Sequence, residues 1–135
     1  NTYLNFGWKK EGDGRPNFFS DDEISQLYNF FKTDRTYSKY TWLQDFLTIG
    51  LFTGMRLGEI RQLGSTAKVL KDEDGEYIYL PRGMTKNGDE REIPIDGQPE
   101  LKAAIDRIGN ASIYFNHHVF HKAWRKARLL TYSSW

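Results

Sequence analysis

The chain contains no cysteine, which excludes disulfides and every metal site built on thiolates. No apolar run approaches the length of a membrane span, and the opening NTYLNFGWKK lacks the apolar region of a signal peptide. A soluble intracellular protein, cytoplasmic and without a membrane partner, is expected. An excess of one charge sign is missing too, since 19 Lys and Arg stand against 18 Asp and Glu, a net charge of +1. That balance neither demands a nucleic-acid partner nor excludes one, because a basic patch can hide inside it. Aromatic residues, by contrast, are plentiful: nine Phe, eight Tyr and four Trp. With 135 residues, the chain has the size of one ordinary domain with a real core. It begins with Asn rather than Met, so a piece of a longer protein is expected.

Residues 1–17 mix aromatics with a Gly-rich charged tract and show no sustained period, which predicts a linker or N-terminal arm. A domain over residues 18–135 follows. Ser20 and Glu23 have the spacing of a capping box, and Ile24, Leu27, Tyr28 and Phe31 recur at helical spacing to about Lys32. A second helix is expected over Lys39 to Phe52, apolar on more than one face, ending at Gly54. A third, short one is expected over Leu57 to Leu63. Three strands then follow, Ala67 to Lys71, Glu76 to Leu80 and Glu90 to Ile95. Asp74-Gly75 and Asn87-Gly88 between them are hairpin signals. Gln98 to Ile108 and His117 to Leu130 read as two more helices, the last with Val119, Phe120, Ala123, Trp124, Ala127 and Leu130 as its apolar stripe. The fold class expected is α+β, mainly helical with a small three-stranded antiparallel sheet.

Arg56 stands out at the corner between two apolar helices. A permanent charge there is costly without a partner. One partner is Glu59, three residues on and on the same helical face. The other option is an anion, held by a planar guanidinium that can bond two of its oxygens.

The stretch TGMRLGEI (Thr53 to Ile60), followed by a small sheet carrying TKNGDEREIPI (Thr85 to Ile95), resembles the catalytic domain of the tyrosine recombinases, the phage integrase family. The likeness covers roughly residues 18–128, and the capped helix FFSDDEISQLYNFF agrees with how that domain opens. It implies a partial tyrosine-recombinase catalytic-domain fold. The implied activity is site-specific breaking and rejoining of double-stranded DNA through a 3′-phosphotyrosine link, with no metal or nucleotide cofactor. Other recombinase protomers in a synaptic complex are the implied partners. By position, Arg56 matches the arginine that holds the scissile phosphate. Lys86 matches the hairpin lysine that protonates the leaving 5′ hydroxyl, and Glu59 matches the supporting acidic residue. Arg82 and Arg91 are candidates for further phosphate contacts, although charged strand residues more often simply face solvent.

The family also needs a His-x-x-Arg motif, a further His or Trp and the tyrosine nucleophile, and this sequence does not supply them. His121 has its nearest arginine at Arg125, the wrong spacing, and Tyr132 lies a few residues from the end. The chain is therefore expected to stop short of the second half of the active site and not to cleave DNA alone. Two other readings stand beside this one. A non-catalytic DNA-binding module, or a degraded integrase remnant, would keep the cations Lys9, Lys10, Arg15, Arg82, Lys86, Arg91, Lys122, Arg125, Lys126 and Arg128 and drop the chemistry. A metal site would use His117, His118 and His121, with no carboxylate to complete it in the HExxH manner.

Overall fold

The computed structural model describes residues 19–84 and 88–132, so the expected arm over residues 1–17 and the candidate Lys86 lie outside the described residues. Six helices are described: α1 (Asp21–Thr33), α2 (Trp42–Thr53), α3 (Leu57–Ile60), α4 (Pro99–Ile108), α5 (Ala111–Tyr114) and α6 (His117–Tyr132). Between α3 and α4 run β1 (Lys68–Asp72), β2 (Gly75–Leu80) and β3 (Arg91–Pro94), an antiparallel sheet in the order β1-β2-β3. The class is α+β, mainly helical, as expected. Among the described residues no helix is long and apolar enough to cross a membrane.

The capping box at α1 is formed in both directions. Glu23 N–H donates to Ser20 Oγ at 3.2 Å, and Ser20 N–H donates to Glu23 Oε1 at 2.8 Å, which satisfies two otherwise orphaned donors. α2 is the centre of the molecule. Leu43, Phe46, Leu47 and Ile49 are fully buried, each contributing about 1.5–3 kcal/mol of transfer free energy. Phe46 meets the rings of Trp42, Phe115 and Phe120 at centroid distances of 5.2, 5.7 and 6.3 Å, joining α2 to the α5–α6 corner and to α6. α1 closes on α6 through Phe19 and Trp124, edge to face at 6.0 Å.

α2 starts three residues later than the periodicity suggests. The Asp34 carboxylate accepts the N–H groups of Thr36 and Tyr37, and this local turn competes with helix. α3 is also shorter than expected, four residues, because the chain must turn at Gly64 toward β1. Gly64 has φ +88°, and a Cβ there would lie 2.7 Å from Asn110 Cα and closer still to the Gly109 carbonyl. The close approach lets Ala111 N–H reach the Leu63 carbonyl at 2.9 Å, locking the end of α3 against the start of α5.

Asp74-Gly75 makes the expected tight hairpin between β1 and β2. The Asn87-Gly88 signal falls partly outside the described residues. Leu80 pairs with Arg91, close to the expected strand bounds, and Gly83 N–H donates to the Gly88 carbonyl at 2.9 Å. The sheet is tied to α4 by Lys102, which meets Glu76 at 3.1 Å. On α6 the expected stripe is buried at Phe120, Ala123, Trp124 and Ala127 and half-buried at Val119, whereas Leu130 is exposed and borders a depression beside α1.

Candidate functional site

The corner between α2 and α3 is fixed by its own backbone. Gly54 ends α2 in the left-handed region, φ +70°, a conformation that costs glycine nothing. Thr53 Oγ1 donates to the Ile49 carbonyl at 2.6 Å and accepts Met55 N–H at 3.1 Å. Met55 is fully buried and acts as the peg of the turn. Arg56 follows with extended backbone, half-buried, and α3 begins after it.

Glu59 is 3% exposed, the most thoroughly buried charged residue described. Its Oε1 accepts the backbone N–H of Arg56 at 2.9 Å, so the carboxylate closes the corner on which Arg56 stands. Its ionic partner comes from the sheet. Arg91 Nη2 lies 3.7 Å from that same Oε1, within ion-pair range but beyond hydrogen-bond length. The other oxygen, Oε2, is buried with no hydrogen-bond partner among the described residues. A carboxylate out of water with one oxygen unmet is costly, which makes this a demanding spot in the molecule.

Arg91 is placed there by strand periodicity. Its cross-strand partner is Leu80 and that of Ile93 is Ile78, and both β2 residues are fully buried. Arg91 therefore shares the core-facing side of β3 with Ile93, while Glu92 and Pro94 are exposed. The register brings Arg91 to Glu59 while its side chain stays 41% exposed. The signal was present in the alternation Arg91, Ile93, Ile95.

The other candidates are dispersed. Arg82 is exposed in the connection after β2, and Lys122 and Arg125 are exposed on α6. Lys126 is committed to structure, meeting Asp34 at 2.9 Å and lying over the rings of Phe30 and Tyr37. Burial works against the charged form of Asp34. The Lys126 ammonium and the two turn N–H groups outweigh it and hold its pKa below the ordinary carboxylate range. His117 and His121 do come together, ring centroids 4.1 Å apart on the first turns of α6. Burial, then the neighbouring His117, lowers the pKa of His121. Among the described residues no third His, Asp or Glu joins them in a metal-holding group.

Sequence reasoning missed a second feature, an open groove of about 900 Å³ between α1, α2 and α4, walled by Trp42, Leu51, Phe52 and Tyr114. Four of its polar residues satisfy one another in pairs. Tyr28 Oη and Thr48 Oγ1 are 2.6 Å apart, and Asp45 Oδ1 accepts Arg107 Nε and Nη2 at 3.0 and 2.8 Å. Burial raises the pKa of Tyr28 and keeps its hydroxyl protonated. A carboxylate inside the apolar run of α2 was the available signal. Of the two places, only the α2–α3 corner combines cations with an unfinished buried charge. Compared with known proteins, the chain matches no family model, no curated protein and no solved structure.

Proposed function

We propose that this chain binds the backbone of double-stranded DNA through Arg56, as the first half of a tyrosine-recombinase catalytic centre. The observation that carries this is the Arg56 corner. A cation is held on a turn pinned by Gly54 and Met55 and closed by the buried Glu59 carboxylate. A guanidinium on so rigid a base meets phosphate oxygens with little ordering cost, which is what stabilising a phosphodiester under attack requires. The order of elements, helices then a three-stranded meander then helices, agrees with the resemblance carried by TGMRLGEI and TKNGDEREIPI.

Within this reading Glu59 positions Arg56 by holding its backbone. Lys86 is the proton donor to the leaving 5′ oxygen and enters on sequence position alone. The nucleophile and the His-x-x-Arg motif are not supplied by this sequence, so the chain binds DNA without cutting it. DNA, other recombinase protomers and a cytoplasmic site of action follow from the same resemblance.

Anisotropy titration of a labelled duplex over a range of salt concentrations tests the proposal. Binding should weaken steeply with salt, and Arg56→Ala should flatten the log–log slope by about 0.9, the loss of one phosphate contact. A nicked duplex should give no covalent adduct. Failure to bind at low salt would remove the proposal, and a covalent adduct would contradict the half-site reading.

A further inference from the structure

The geometry points to Arg91 as a second DNA-phosphate contact, held beside Arg56 by their shared carboxylate, Glu59. The assignment rests on the DNA reading above and decides for Arg91, and not for Arg82, a choice between phosphate contact and plain solvent-facing charge that the sequence left open.

Three observations converge on it. The first is register. Arg91 lies opposite the buried Leu80 on the core-facing side of β3, a place that ordinarily takes an apolar side chain. A charge kept there has a task that an apolar residue would not perform.

The second is the quality of its ion pair. Where this protein uses an arginine to neutralise a buried carboxylate, at Asp45, the guanidinium gives two N–H groups to one oxygen at 2.8 and 3.0 Å. At Glu59 the nearest guanidinium nitrogen stops at 3.7 Å, and the second carboxylate oxygen goes unmet. Glu59 thus steadies Arg91 by charge without absorbing its hydrogen-bonding capacity. A guanidinium carries five N–H donors in a fixed fork, and the Arg91 side chain is 41% exposed, so donors remain for a ligand in water.

The third is charge balance. Arg56, Arg91 and Glu59 together carry one net positive charge. One phosphodiester carries one negative charge and neutralises the set. The carboxylate accepts the backbone N–H of Arg56 and faces the Arg91 guanidinium with the same oxygen, so it ties both residues to one point of the fold. Arg56 is fixed through its backbone and Arg91 through its side chain. A two-cation clamp of this kind bonds oxygens on one phosphate or on its neighbour along the strand.

The test uses the full chain with a labelled duplex, comparing wild type, Arg56→Ala, Arg91→Ala and Arg91→Lys across salt concentrations. Circular dichroism melts are run on each protein. Arg91→Ala should weaken binding about tenfold at low salt and flatten the salt slope by about 0.9, with Arg91→Lys restoring the slope because the charge is restored. The slope separates a phosphate contact from a structural role, since a protein merely distorted loses affinity without losing a counterion. Wild-type affinity and slope in Arg91→Ala, with Arg56→Ala still impaired, would overturn the assignment and leave the DNA reading standing. Weaker binding at an unchanged slope would also overturn it. No binding by wild type would remove both. Should Arg91→Ala lose its fold, Arg91→Gln gives the same slope comparison with the stem and a donor toward Glu59 retained.

Discussion

Asp45 and Glu59 are both buried beside arginines, and they are treated in opposite ways. Asp45, 7% exposed in the middle of α2, is finished: Arg107 reaches over from α4 and gives it two hydrogen bonds. Glu59 at the α2–α3 corner is unfinished, with one backbone N–H, one arginine at ion-pair distance and one oxygen unmet. The first arrangement is what stability alone asks for. The carboxylate at Glu59 leaves Arg91 hydrogen-bond donors that Arg107 gives up at Asp45. In the proposed function those donors go to a DNA phosphate.

The contrast can be broken, and the largest effect should come from the finished pair. Arg107→Ala leaves Asp45 buried without its partner. Because Arg107 is 60% exposed and water can follow the cut, the expected loss is about 2–3 kcal/mol rather than the full cost of a buried pair. Chemical denaturation would measure it, and DNA binding of the folded fraction should be unchanged. Glu59→Gln should cost less, about 1 kcal/mol, since the amide oxygen still accepts Arg56 N–H and only one charged contact is lost. The same variant raises the local charge by one, so its salt slope should not fall. A loss at Glu59 larger than that at Asp45 would reverse the comparison, making Glu59 the structural pair.

The smallest effect concerns another carboxylate, Asp34, which is finished like Asp45 and has a side chain about as well covered. Its folded pKa is lowered, so its contribution is fully present above the unfolded carboxylate pKa. That contribution fades as pH falls through the lower folded value. Asp34→Asn should flatten the pH dependence of stability in that acid range and leave it unchanged at neutral pH. Thermal melts at a series of acid pH values would show this. A mutant that keeps the full acid slope would mean that Lys126 contributes packing against Phe30 and Tyr37 and little else.

Much of the scaffold was legible because its signals are local. Ser20 and Glu23, Gly54, and Asp74-Gly75 each act within a few residues, and each sits where the pattern put it. The connection after β2 also lies within a residue of its expected bounds, because the strand pattern ends at Leu80, whose side chain is buried against the core. α5 was missed because four residues are too few for a period, and its Asn110 cap resembles any turn. At the site, Arg56 and Glu59 were legible as neighbours on one corner. The contact of Arg91 with Glu59 was not, because it joins a helix to a strand far along the chain, and only the sheet register brings them together. Asp45 and Arg107 escaped for the same reason.

One measurement addresses the central claim most directly: the salt slope of duplex-DNA binding for Arg56→Ala and Arg107→Lys, side by side with wild type. The account predicts a slope flatter by about 0.9 for Arg56→Ala and an unchanged slope for Arg107→Lys, because only the unfinished corner holds phosphate. Equal slopes in all three proteins, or a loss at Arg107 and none at Arg56, would contradict it.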